Sequence, residues 1–408
     1  MSIRIGPTQS YAVILLLLKR VDCFDGVASY LETLASGLRA VGDHVVIVSG
    51  AVQAPPGTEP RREAIARAVE EWLVLDGLDP VRPAPLHLGR IRLLIRERRV
   101  TVISPQGLSM LPIATLLGRL ARLPVATNYH PSLQGNDAAS MRGGRSRRQR
   151  LAYRVVTTLF RSDAYIALSR DIADFFRRDC GIPVARIHEQ VLGVETDFYR
   201  QPSEEERRAA RAHFGLKACE LVCVLPGRMN FSKGHDITAA AVRALCDARP
   251  DLKIVCLFPG GGEQRQAIVN NVLRDGRDKH LFQFLGFVDR DTLRDCYWAA
   301  DIVLLPSRLE GFGLVVAEAM CCGAIAIRTP SGGWQDQVVE GTTGYVVPFN
   351  DPAALAAAIG LVADRPDRLE MRRAAMQLAS ERFSKQRMIE GTSAFYRQLS
   401  VRAPQAPR

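Results

Sequence analysis

Short apolar runs alternate with longer amphipathic stretches along almost the whole chain, and nothing else in the sequence constrains the fold as strongly. In the first half the runs are Tyr11–Leu18, Val45–Ser49, Val100–Ser104, Val125–Asn128 and Ala164–Leu168. In the second they are Leu221–Pro226, Leu252–Phe258, Leu281–Leu285, Ile302–Pro306 and Ala324–Arg328. Runs this short and this uniformly apolar suit strands buried on both faces, and the stretches between them are long enough for crossover helices. The pattern predicts an α/β protein built on parallel sheets. Between the two sets, "VETDFYRQPS" interrupts the alternation just before "SEEERRAARAHFGL", a helix opened by Ser203 and Glu206 as a capping box.

That break divides the chain into an N-terminal domain over 1–196 and a C-terminal domain over 197–383. A helix expected to pack back on the N-terminal domain and a frayed tail follow over 384–408. Each domain is expected to be Rossmann-like and doubly wound, the two facing a central cleft. With 408 residues, 47% of them hydrophobic, the chain can fill two such cores. Lys and Arg total 54 against 43 acids, a net charge of +11 that suits anionic ligands or surfaces, although a solvated arginine-rich surface accounts for it equally well. The nine cysteines sit in apolar contexts with no C-x-x-C pair, and read as reduced core thiols of a cytoplasmic protein. The run "AVILLLL" at 12–18 is too short to cross a bilayer and its charges, Lys19 and Arg20, follow it; it reads as a first strand, not a signal peptide. Residues 51–65 read as a long surface loop or insertion.

Chemistry concentrates in the second half. In "RLEGFGLVVAEAM", residues 308–320, Glu310 and Glu318 bracket a glycine turn that joins an apolar strand to a helix ending at Gly323. Such turns lie at the carboxyl edge of an open sheet, where amides of the next helix attract anions. In "LPGRMNFSKGHD", Arg228 and Lys233 occupy another loop after a strand, flanked by Gly227 and Gly234. Two cations converging beside a helix start suit a diphosphate, and together the loops could hold both phosphates of a nucleotide. Asp289 and Asp291 resemble a metal-binding pair, but they precede a helical pattern and are more simply its N-cap.

These residues resemble the retaining glycosyltransferases of family 4, which have the two-domain GT-B fold. The resemblance covers nearly the whole chain and is strongest over 221–349. It rests on "GR" and "KG" at 227–234, on "FLGFVDRDTLRDCYWAADIVLLPSRLEGFGLVVAEAMCCG" at 284–323 and on "GTTGYVVP" at 341–348. It implies that Arg228 and Lys233 bind the nucleotide diphosphate and that the turn from Gly311 and Phe312 to Gly313, Leu314 and Val315 binds donor sugar or phosphate. Glu310 would contact the sugar, Glu318 the ribose hydroxyls, and the loop ending at Val288 would lie along the nucleobase.

In the first half, "DCFDGVASYLETLA" resembles the family's glycine turn after the first strand. Gly26 keeps one of its two glycines and Asp25 replaces the other. An acid there would repel phosphate, so Asp25 is expected to cap the following helix or, with Asp22, to face an acceptor. His130 matches the family histidine near the reaction centre. The resemblance thus implies His130, Glu310, Arg228 and Lys233 as catalytic residues, with no cofactor, metal or nucleic acid. The expected reaction moves a sugar of glucose or N-acetylglucosamine type from a nucleoside diphosphate donor, UDP by family frequency, to a hydroxyl of a small polyol, cyclitol or aminocyclitol. Two alternatives stay open: a membrane lipid acceptor, for which the basic run Arg142–Arg150 would provide peripheral contact with an anionic membrane, and a nucleotide-sugar 2-epimerase of the same fold.

Overall fold

The computed structural model describes residues 11–23, 26–54, 59–130, 147–273 and 279–402. They fall into two compact units. The first takes in the described residues up to His130, those from 147 to Val191 and those from Gln386 onward; the second runs from Leu192 to Lys385.

The first unit contains β1 (Val13–Leu18), β2 (Val21–Asp22), β3 (His44–Ser49), β4 (Val52–Gln53), β5 (Glu71–Val74), β6 (Val102–Pro105), β7 (Ala126–Asn128), β8 (Ala164–Ala167) and β9 (Ile187–Glu189). Four of these form a sheet in the order β5-β3-β1-β6, and three more the sheet β7-β8-β9. All pairings are parallel, and bridges Ile103–Val125 and Gln106–Asn128 link β6 to β7. Every side chain of β1 is buried, as expected for a central parallel strand covered on both faces. Leu15, Leu17, Val46 and Ile103 pack with Ile91 and Leu94 of the helix Pro85–Glu97 and with Ile113 and Leu117 of the helix Leu111–Ala121.

The second unit contains β10 (Leu221–Val224), β11 (Ile254–Pro259), β12 (Phe282–Gly286), β13 (Ile302–Leu305), β14 (Ile325–Arg328) and β15 (Gly344–Val346). They form one parallel sheet in the order β12-β11-β10-β13-β14-β15, the doubly wound arrangement. Strand order reverses between β10 and β13, and ligands of such sheets bind outside the carboxyl ends of the strands at that switch point.

The helix Lys385–Arg402 completes the first unit. Its anchor is Asp43, fully buried, whose carboxylate accepts from the Ala12 amide at 2.7 Å, from Arg397 Nε at 2.9 Å and from the Ser393 hydroxyl.

All ten expected strands are present, their ends shortened by up to two residues or, in β3, β6, β11 and β12, extended by one. The loop expected over 51–65 is only partly a loop: β4 opens it and the helix Glu59–Ala68 occupies its end. The Pro-Pro-Gly at 55–57 points to a loop, but "REAIARA" behind it is a run of helix formers. Cys219 is exposed, unlike the expected core thiols, because it lies in the turn ahead of β10.

Candidate active site

Two loops of the second unit meet at the switch point. The first follows β10 and ends at Gly234, whose φ is +79° and where an added Cβ would lie 2.4 Å from the Pro306 carbonyl oxygen. Only glycine combines that backbone with so close an approach, so the loop is drawn against the end of β13. This sets Lys233 Nζ 2.6 Å from Glu310 Oε2, with the two side chains only 15% and 10% exposed. Glu310 Oε1 also accepts the Gly311 amide at 3.1 Å. Burial pushes the Glu310 carboxyl upward, but the Lys233 and Arg328 charges and that amide outweigh it and hold its pKa below the ordinary value. Arg228 lies exposed in the same loop, and its neighbours are pinned: the Gly227 amide bonds the Pro259 carbonyl at 3.0 Å and the Met229 amide the Gly261 carbonyl at 2.8 Å.

The second loop delivers the chain into the helix Leu314–Cys321, with Gly313 as a left-handed N-cap and no capping side chain. The first-turn amides of Leu314 and Val315 therefore stand where an anion could accept from them. Phe312 is buried against Phe383, ring centroids 5.7 Å apart. The turn is held from behind by Arg328, a fully buried guanidinium at the end of β14. It donates to the carbonyls of Phe312 at 3.2 Å, Ser331 at 3.1 Å, Gly332 at 2.7 Å and Thr329 at 3.3 Å, and to the Gln337 side chain. Gln337 in turn donates to the Phe312 and Gly313 carbonyls at 3.1 and 3.0 Å. Sequence reasoning missed Arg328 and Gln337. The available signal was a charged residue closing an otherwise apolar strand, which needs buried partners.

Glu318 does not join the Lys233–Glu310 pair. Its Oε2 accepts from the Tyr297 hydroxyl at 2.9 Å, and burial pushes its carboxyl up to about 7, against the Tyr297 bond and the Arg290 charge. A carboxyl whose folded pKa exceeds its unfolded one costs nothing while protonated, and destabilises increasingly as pH rises from the ordinary carboxylate range to that pKa. Glu318→Gln should therefore raise the melting temperature of the unliganded protein at pH 8, with the gain disappearing near pH 4. Equal effects at both pH values would contradict this. Val288 is half-buried just after β12. Asp289 is the N-cap of the helix Arg290–Ala299, accepting the Thr292 amide at 2.8 Å, and Asp291 pairs with Arg294 at 2.8 Å.

In the first unit, Gly26 opens the helix Gly26–Ala40, but β2 separates it from β1, so the turn does not follow the first strand directly. The reason is local: Val21 and Asp22 extend the chain to pair with Val52 and Gln53. Asp22 is buried with its Oδ2 2.7 Å from Arg20 Nη2, so the carboxylate is offset by a cation. Asp25 lies outside the described residues, as does the basic run from Arg142 to 146. Its remainder opens the helix Arg147–Leu159. His130 lies just beyond β7, with its Nε2 3.0 Å from Gln106 Oε1 and its ring 4.9 Å from that of Tyr30. Burial lowers its pKa to about 4, so the imidazole is neutral at neutral pH.

This architecture and these loops match known proteins. The family described as Glycosyltransferase Family 4 matches residues 24–198, and that described as Glycosyl transferases group 1 matches 206–379. The chain belongs to glycosyltransferase family 4. Its fold is GT-B, and the family is one of retaining hexosyltransferases. Among similar proteins, the D-inositol 3-phosphate glycosyltransferase of Xylanimonas cellulosilytica is 32% identical over 252 residues, 60% of this chain and 58% of that one. The glycogen synthase of Mycobacterium tuberculosis is 28% identical over 396 residues, 91% of this chain and 90% of that one. The match to the inositol phosphate enzyme thus spans little more than half of its length. The structure of Anabaena HepE in complex with UDP superposes with a TM-score of 0.74 over 94% of this chain and 98% of that one at 20% identity, a likeness of fold. For this family 4 member, no helix among the described residues is long and apolar enough to cross a membrane.

Proposed function

We propose that the protein transfers a hexosyl group, with retention, from a nucleoside diphosphate sugar to a hydroxyl of a small polyol or cyclitol. The observation that carries this reading is the Lys233–Glu310 pair at 2.6 Å, set beside an uncapped helix start at the switch point of the second sheet. In this reading Arg228, Lys233 and the Leu314 and Val315 amides neutralise the departing diphosphate as the sugar C1–O bond breaks. Glu310 hydrogen-bonds sugar hydroxyls, Glu318 holds the ribose and Val288 borders the base. The acceptor oxygen bonds to C1 on the face the diphosphate leaves, and its proton passes to a diphosphate oxygen. His130, Gly26, Asp22 and Asp25 would serve from the first unit. UDP is the favoured nucleotide, in keeping with the ligand of HepE, and a cyclitol acceptor follows the name of the inositol phosphate relatives.

The test combines UDP, GDP, ADP and dTDP sugars with inositol, inositol phosphate and aminocyclitol acceptors, reading product anomers by NMR. Retained configuration and activity in excess EDTA are expected, since Asp289 and Asp291 are already engaged as cap and ion pair. Epimerised nucleotide sugar as the sole product would instead identify an epimerase. One observation favours a second reading, a lipid-borne acceptor at an anionic membrane. Along the helix Arg147–Leu159, Leu151, Val155 and Leu159 form an apolar stripe 64%, 45% and 62% exposed, beside exposed Arg147 and Arg148. Salt-sensitive co-sedimentation with phosphatidylglycerol vesicles, but not phosphatidylcholine vesicles, would support it.

A further inference from the structure

His130 does not stand alone in the first unit; it ends a chain of hydrogen bonds that begins on the C-terminal helix. The Tyr396 hydroxyl lies 3.0 Å from Ser104 Oγ, both groups buried. The Gln106 amide nitrogen donates to Ser104 Oγ at 3.0 Å and to the Ser104 carbonyl at 3.2 Å. Gln106 Oε1 then faces His130 Nε2 at 3.0 Å.

The chemistry of each link fixes the next. A backbone carbonyl only accepts, so the Gln106 atom facing the Ser104 carbonyl must be the NH2 group. That turns Oε1 to the histidine, and an amide oxygen also only accepts. The imidazole must therefore carry its proton on Nε2. The bridge between Gln106 and Asn128 fixes the backbone spacing of the two strand ends. The Asn128 side chain bonds the Tyr30 hydroxyl at 2.9 Å, so the aromatic ring packed on the imidazole is itself held.

We propose that Gln106 is a positioning residue, anchored through Ser104 to Tyr396, that holds His130 in the Nε2–H tautomer and leaves Nδ1 as an acceptor for a ligand hydroxyl. On this assignment His130 cannot donate a proton from Nδ1 to the ligand, and it orients a hydroxyl group of its substrate by accepting from it. The role of that hydroxyl as part of the donor sugar rests on the function proposed above; the tautomer does not.

The primary measurement is 15N NMR of histidine-labelled protein, with the His130 signals assigned by their loss in His130→Asn. In the wild type His130 should be neutral at pH 7, with a protonated Nε2 and an unprotonated Nδ1. Gln106→Glu replaces the amide oxygen by a carboxylate at the same place, which favours the imidazolium and should raise the His130 pKa measurably. Gln106→Leu, which cannot accept, should release the preference and give a mixture of tautomers. In the proposed reaction Gln106→Leu should lower kcat about tenfold with little change in donor KM, because orientation and not binding is lost. Gln106→Glu supplies a second, near-isosteric variant should the leucine protein fail to fold. A wild-type signal with the proton on Nδ1, or a His130 titration unaltered by Gln106→Glu, would overturn the proposal. Normal turnover by His130→Asn alongside the expected tautomer would instead refute the donor-sugar role and leave the positioning assignment supported.

Discussion

Lys233→Ala is expected to lower kcat by about two to three orders of magnitude while the protein stays folded. Two losses combine. The variant removes a fixed cation from the place where the diphosphate charge develops, and it strips Glu310 of the partner now 2.6 Å away. Burial then acts on that carboxylate with less opposition, so its pKa rises. Lys233→Arg should recover part of the rate, because charge returns without the same geometry. Steady-state kinetics on the nucleotide sugar that shifts the melting temperature most, with circular dichroism as the folding control, decide the matter. A folded alanine variant with near-normal kcat removes Lys233 from the leaving-group site.

Arg328→Met should cost about 3 kcal/mol or more, since losing a fully buried donor strips the Gly332 carbonyl and the Gln337 side-chain oxygen of the guanidinium they accept from. Phe312, Ser331 and Gly332 lose the guanidinium together, and the turn is then held through the Gln337 bonds to Phe312 and Gly313. Arg328→Lys should rescue little, as one ammonium cannot serve acceptors spread along the guanidinium plane. The expected readout is a lower urea midpoint for the second unit, together with reduced activity. A midpoint unchanged from wild type would mean that the turn is held by Gln337 and packing.

The fold was legible because parallel strands buried on both faces announce themselves as unbroken apolar runs. Ile302–Leu305 and Ile325–Arg328 could be read from composition alone, whereas the edge strand Glu71–Val74 offers only the four-residue apolar run Trp72–Leu75, pressed between Glu71 and Asp76. The start of the helix at Leu314 was equally plain from its glycines. The supports behind that turn were not, because a buried arginine and a glutamine look like surface residues until their partners are known. The link from Ser104 to Tyr396 was invisible for a further reason: 292 residues separate its two ends.

The placement of the C-terminal helix has a consequence for biosynthesis. Nearly all of the first unit emerges from the ribosome long before Ser393 and Arg397, so the growing chain must carry Asp43 bonded to the Ala12 amide without its guanidinium and hydroxyl partners. The groove that receives Ile389 beside Gly37 and the face of His188 that stacks on Phe395 are bare over the same interval. The first domain to begin folding is thus the last to finish. A nascent chain halted before Gln386 would retain an intact second sheet yet present an unfilled apolar surface on the first, the kind of surface that recruits chaperones and aggregates when they are scarce.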